Sequence, residues 1–327
     1  MNLITLKKLI ILPILMLLIL SNFITISHAE ENTINIVCTN SLLADFTSNL
    51  IKENVSIDYI MPPGVCPAYY DTTPSDVNKI IKADIIISFG SPFMEPWLAD
   101  LLEYNNNCSV IECKNMGEWN IPSGAKKYVE YLADELSDVL TSLNETIHNN
   151  SEIYLSEVNN TALELQNLTK TNGFTGKNVI AMKWQKEFLE WLGLNVIYSY
   201  GPPQGLSSQD QLNVINAAST NDICAIVDNL QSGVEFGAKV ASETGASHII
   251  FTNFPGAIPG TNTYLDMITY NTEQLTKGIQ TYEYKQGDIS KLQKQVSDLE
   301  LQRNILLLLT IIFAILIVIL LLIYKKK

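Results

Sequence analysis

Any chemistry in this sequence must come from soft and aromatic side chains, because histidine is nearly absent. The chain has five cysteines and three histidines. Cys66 stands apart from the other cysteines. It lies in Pro62-Pro63-Gly64-Val65-Cys66-Pro67-Ala68-Tyr69-Tyr70, where prolines and a glycine make a stiff turn after a strand-like run. Thiolate suits a soft ion such as Cu(I). Cys38 and Cys224 sit in apolar runs and read as core thiols. Cys108 and Cys113, five residues apart on one strand, would face opposite sides. A second chemistry is aromatic. Tyr69, Tyr70, Trp119, Trp184, Tyr198 and Tyr200 flank the ends of strand-like runs. With Lys183, Gln185 and Gln204 they could sandwich a planar or cationic ligand. An enzyme is not expected. The sequence has no nucleophile elbow, phosphate loop, Cys–His pair or zinc-protease motif, and Gly201-Pro202-Pro203-Gln204-Gly205 lacks dinucleotide-loop spacing.

Two sets of elements must position these residues. Strand-like runs at 34–39, 56–61, 84–89 and 109–113 are interleaved with helical runs at 41–52 and 74–82. A second set follows at 178–182, 195–200, 223–228 and 248–252, with helices at 184–192, 208–218 and 234–244. Strands separated by helical periods predict α/β lobes of parallel sheet with flanking helices. The first lobe is assigned to 30–123 and the second to 173–281. Between them, 124–172 is expected to be one long, rigid backbone helix; Tyr128, Tyr131, Leu132, Leu136, Val139 and Leu140 mark its apolar stripe. Two facing lobes make a cleft at the carboxyl ends of their strands, where open α/β sheets place ligands. Pro74 suits a first helical turn, and Thr73 or Ser75 can cap it.

The ends have other duties. Lys7 and Lys8 precede the apolar run 9–20, and Ser27-His28-Ala29 follows. That layout predicts a secretory signal peptide, 1–29, cleaved after Ala29. No cysteine at that point offers a lipid attachment. Near the other end, 305–323 is a charge-free apolar run followed by Lys325, Lys326 and Lys327. A transmembrane helix is assigned to 304–324, with a basic cytoplasmic tail at 325–327 and the body outside the cell. The segment 282–303 reads as a helical stalk. In it Ile289, Leu292, Val296 and Leu299 form an a/d seam, so weak self-association through 289–299 is an expectation. All 34 acidic residues lie in 30–303, with only 16 of the 21 basic ones. So acidic a surface argues against nucleic acid and anionic headgroups as partners.

Three segments carry a family resemblance: 61–77 with its Pro-Pro-Gly turn and Thr-Pro-Ser-Asp helix start, 119–140 opening the backbone segment, and 260–275 with Thr263-Tyr264-Leu265-Asp266-Met267. They resemble the substrate-binding proteins that bring zinc or manganese to ABC importers, over nearly all of 33–280. The resemblance implies two α/β lobes, a bound transition-metal ion or metal complex, and an ABC permease of the same membrane as partner.

That family holds its metal with histidines and acidic residues, and this sequence has no histidine at those positions. The resemblance places the ligand positions at Ala68, at Gly117 with Glu118 beside it, at Met182 and at Asn253, and a strand carboxylate at Asp228 or Asn229 with the register uncertain by one. The remaining histidines, His148 and His248, match no ligand position. Three readings follow. The site is rebuilt for a softer ion through Cys66, Met182, Glu118, Asp228 and Asn253. Or the cleft holds a small organic or chelated solute against Tyr69, Tyr70, Trp119, Lys183, Trp184 and Tyr200. Or binding is lost, and the protein is a surface interaction or adhesion protein.

Overall fold

The computed structural model describes residues 33–325. The expected signal peptide, Lys326 and Lys327 lie outside the described residues. Four parallel strands make the first lobe: β1 (Ile34–Asn40), β2 (Val55–Met61), β3 (Ile85–Ser88) and β4 (Ser109–Glu112), in the order β2-β1-β3-β4. Helices α1 (Ser41–Leu50), α2 (Pro74–Lys82) and the short α3 (Leu98–Leu102) connect them. The second lobe repeats the winding. Its strands β5 (Asn178–Met182), β6 (Asn195–Tyr200), β7 (Ala225–Asn229) and β8 (Ser247–Phe251) run parallel in the order β6-β5-β7-β8. Its helices are α6 (Lys186–Trp191), α7 (Ser208–Thr220) and α8 (Glu235–Thr244).

Local chemistry starts these helices where the sequence reading placed them. The Asn40 side chain accepts from the amides of Leu42 and Leu43, each at 3.1 Å, and caps α1. Thr73 and Asp76 form a capping box around Pro74 at the start of α2, and Ser207 with Asp210 does the same for α7. The inner strands β1, β3, β5 and β7 are buried on both faces because helices cover both. One hydrophobic core runs from the first lobe through the inner side of the second, and a smaller one lies under the outer helices of the second lobe.

Two features depart from expectation. The backbone segment is not one helix. It is α4 (Pro122–Val139), a tight turn at Thr141–Leu143, and α5 (Asn144–Thr171). The two pack as a hairpin, with Lys126 Nζ donating to Asn159 Oδ1 at 2.9 Å. Tyr128, Leu132 and Leu136 are buried, and α4 packs on α1 and β4, so the apolar stripe serves the first lobe. Of the two helices of the hairpin, α5 bridges: Asn150 Nδ2 donates to the Leu50 carbonyl of the first lobe, and Thr169 Oγ1 to the Leu192 carbonyl of the second. The second departure is α9 (Tyr264–Lys325), a single helix of 62 residues. Residues 281/282 and 303/304 are not breaks in it. Its first turns are buried on the lobes through Tyr264, Met267, Ile268, Leu275 and Ile279, and its later turns stand exposed. Its apolar end is long and apolar enough to cross a membrane. All five cysteines are free. Burial pushes the Cys38 thiol up to about 12 and the Cys224 thiol to about 11, as inert core thiols require.

Candidate functional site

The lobes enclose a cavity of about 260 Å³. The first lobe contributes Cys66, Pro67, Ala68 and Tyr69 from the loop after β2, Ser91, Phe93 and Met94 from the loop after β3, and Glu118 and Trp119 from the segment entering α4. The second contributes Trp184, Pro202, Asn229, Gln231, Ser232, Asn253 and Phe254.

Each wall is held from behind. The β2 loop is pinned by Trp97 Nε1, which donates to the Pro67 carbonyl at 3.0 Å. The Tyr70 hydroxyl donates to Asp76 Oδ2 at 2.8 Å, joining the loop to the cap of α2. The β3 loop folds over Glu95, whose Oε1 accepts from the Phe89 amide at 3.3 Å while Oε2 has no hydrogen-bond partner among the described residues. Burial pushes the Glu95 carboxyl up to about 7. Trp119 stacks on Phe89 at 4.7 Å between ring centroids and leans on Phe254. Glu118 reaches its place because Gly124 lets the first turn of α4 press on its carbonyl; a Cβ at residue 124 would collide with it.

A chain of buried amides joins the lobes. Gln231 Nε2 donates to the Pro63 carbonyl at 2.8 Å and to Thr252 Oγ1 at 2.9 Å, and its Oε1 accepts from Asn229 Nδ2 at 3.1 Å and the Asn253 amide at 3.2 Å. Asn253 Oδ1 accepts from Gln185 Nε2 at 2.7 Å. Trp119 Nε1 donates to the Asn253 carbonyl at 2.9 Å, Asn120 Nδ2 to the Trp184 carbonyl at 3.1 Å, and Ser41 Oγ to the Pro255 carbonyl at 2.7 Å. Neutral hydrogen bonds thus fasten the two halves where the family resemblance expected a metal.

Of the residues singled out in the sequence, Cys66, Ala68, Tyr69, Glu118, Trp119, Trp184 and Asn253 meet in the cavity. Others are used elsewhere. Met182 is fully buried in the outer core with Ile180, Tyr200 and Val240. Alternation along β5 turns its thioether away from the cleft. Asp228 is also fully buried, accepting from the Tyr200 hydroxyl and lying 2.8 Å from His248 Nε2. A Cβ on Gly237 would collide with that carboxylate, which shows how tightly α8 covers it. Of the two, Asn229 lines the cavity and Asp228 packs away from it. Tyr200 belongs to that outer cluster, edge-on to Phe236. Tyr70 is edge-on to Trp97, Lys183 lays its ammonium 4.2 Å from the Trp184 ring centroid, and Gly117 accepts from the Tyr128 hydroxyl. Tyr70, Lys183, Gly117 and Tyr200 do not line the cavity.

The sequence reading missed Phe93, Met94 and Gln231, and left Asn229 as one of two alternatives with Asp228. For Asn229, the polar pair Asp228-Asn229 closing an apolar strand was the available signal. Glu118 is the only carboxylate on the wall, with no hydrogen bond or ion pair among the described residues, and no Lys, Arg or His lines the cavity. Burial, with Glu187 adding a smaller push, raises its carboxyl above the usual range. Among the described residues no group of three or more His, Cys, Asp or Glu side chains is placed to hold a metal ion.

Comparison with known proteins places this architecture. Residues 36–278 match the family model of the periplasmic zinc-uptake complex component A. The chain is 23% identical over 271 residues to the manganese-binding lipoprotein MntA of Halalkalibacterium halodurans, covering 75% of this chain and 88% of that one. A shorter stretch of 66 residues, 20% of this chain and 21% of the other, is 36% identical to the manganese ABC transporter substrate-binding lipoprotein PsaA of Streptococcus pneumoniae. The fold is that of the Mn-bound periplasmic metal-binding protein of Candidatus Liberibacter asiaticus, with a TM-score of 0.65 at 19% identity over 76% of this chain and 99% of that one.

Proposed function

Since this chain belongs to the family of the periplasmic zinc-uptake complex component A, we propose that it is the extracytoplasmic substrate-binding component of an ABC importer whose cargo arrives as a compact cation carrying its own ligands. A chelated metal and a small organic cation share that chemistry. The relatives named for manganese favour the chelated metal.

The observation that carries the reading is the wall itself. One unpaired carboxylate, Glu118, stands among Trp119, Trp184, Phe254 and the amides of Asn229 and Asn253. A naked Zn²⁺ or Mn²⁺ needs several nitrogen, oxygen or thiolate ligands in close convergence. A cation with its inner coordination already filled needs only a counter-charge, hydrogen-bond partners and apolar faces. The absence of basic side chains from the wall disfavours an anion. The volume is below the roughly 300–1,000 Å³ of sites for drug-sized ligands, so the cargo is small. The apolar end of α9 is the proposed anchor, in the role that a lipid has in the lipoprotein relatives. Cys66 remains available as one additional soft ligand.

The test is native mass spectrometry with elemental analysis on the full chain, purified anaerobically into lipid nanodiscs. A bound small-molecule mass, with or without stoichiometric metal inside it, is expected, and Glu118→Gln should weaken its retention at least tenfold. A bare metal ion bound one-to-one, and unaffected by Glu118→Gln, would overturn the reading. A surface protein without cargo is the second reading, and the fastening of the lobes by neutral hydrogen bonds supports it; a chain empty under all loading conditions would select it.

A further inference from the structure

We propose that α9 is a dimerisation stalk, and that its exposed seam is covered by the same seam of a second copy in parallel orientation. The inference rests on the proposed membrane anchor for the parallel orientation, and on the helix alone for the seam.

The last side chain that α9 buries on the lobes is Ile279. Tyr282 still donates to Asp222 Oδ1 at 3.0 Å and Glu283 pairs with Lys177 at 2.7 Å; beyond them the helix continues unbroken to Lys325, and 284–303 forms a rod about 30 Å long at 1.5 Å per residue. On that rod Ile289, Leu292, Val296 and Leu299 are 45%, 60%, 57% and 63% exposed. Their spacings of 3, 4 and 3 put them on one face as two heptads. The choice of side chains names the partner. The a positions hold β-branched Ile289 and Val296, and the d positions hold Leu292 and Leu299. That combination packs best in a parallel two-stranded coiled coil.

The flanking positions agree. Positions e and g are Gln286, Asp288, Gln293, Gln295, Glu300 and Gln302. Across a parallel pair, Asp288 meets Gln293 of the other copy and Gln295 meets Glu300, so no like charges face each other at e and g. Lys291 and Lys294 fall at c and f, on the outside, and Lys291 pairs with Asp288 of its own helix at 3.7 Å. Lys285 at d and Arg303 at a would each face the same residue of the other copy, and that like-charge contact ends the seam on either side of 289–299. Two chains anchored by the same C-terminal run share one orientation and one plane, which raises the effective concentration that two heptads need.

The test is disulfide trapping in membranes of cells expressing the full chain, with the unsubstituted chain as baseline. Leu292→Cys, at d, should give at least tenfold more homodimer under mild oxidation than Lys294→Cys, at f. Replacing both Ile289 and Val296 by Lys in the Leu292→Cys chain should abolish it; these residues are exposed, so the lobes keep their fold. Equal trapping at 292 and 294, no trapping at either, or capture of a protein of another mass would overturn the proposal. Alkaline carbonate extraction is run in parallel. A chain released by carbonate refutes the anchor, and trapping on the released chain then decides the seam separately.

Discussion

Replacing Gln231 by alanine tests whether the amide chain fastens the lobes. Gln231 is 9% exposed and makes four hydrogen bonds, of which that to the Pro63 carbonyl crosses to the other lobe. An intramolecular hydrogen bond contributes roughly 1 kcal/mol net, and a buried group left without a partner costs about 1–3 kcal/mol. Thr252 keeps its bond to the Phe254 carbonyl at 3.2 Å, and water from the cavity can reach some of the freed groups. The orphans are the Asn253 amide and the Pro63 carbonyl. The net expectation is a loss of about 3 kcal/mol. For lobes of this size that lowers Tm by roughly 6–12 °C. Thermal unfolding followed by tryptophan fluorescence reports directly, because Trp119 and Trp184 line the interface. Limited proteolysis of the Pro-Pro-Gly loop should accelerate in step. A fall in Tm below about 2 °C, with proteolysis unchanged, would refute the claim that neutral amides hold the closed arrangement.

Two further outcomes follow from burial. The Glu95 carboxyl stands at about 7 against an ordinary 4.5, so the folded chain keeps a proton that the unfolded chain releases first. Its contribution to stability is full below about pH 4.5, declines as pH rises to about 7, and is flat above, a change of about 3 kcal/mol at 1.36 kcal/mol per unit. Glu95→Gln should flatten that slope and raise Tm at pH 8; an unchanged pH profile in urea unfolding would count against it. Asp45, pushed up to about 6 by burial, slopes the same way and remains in the variant. Met182→Ala should cost about 2–5 kcal/mol as a core truncation and leave cargo retention unaltered, whereas Cys66→Ser should barely touch stability. Loss of Cu(I) binding in Met182→Ala at full retained stability would restore the soft-metal site that the geometry argues against.

Much of this protein was legible along the chain. Apolar runs of strand length, separated by helical periods, placed all eight strands among the described residues, since each lobe repeats a local alternation of elements. The loop after β2 was readable because proline and glycine act on their own backbone. The missing histidines were readable by composition alone. Adjacent residues on a strand face opposite sides, so a one-residue uncertainty left Asp228 and Asn229 indistinguishable until β7 was packed beneath α8. Met182 followed the same rule on β5. The α4–α5 hairpin and the unbroken α9 depended on where the chain turns, and a turn of three residues leaves little signal against long helical patterns on either side. The amide chain joins residues up to 168 positions apart. Residue types and local periodicity determined the elements, the two-lobed class and the absence of the family's ligands. Tertiary packing alone decided which side chains share the cleft, because pairing distant segments fixes a register and a face that no local pattern encodes.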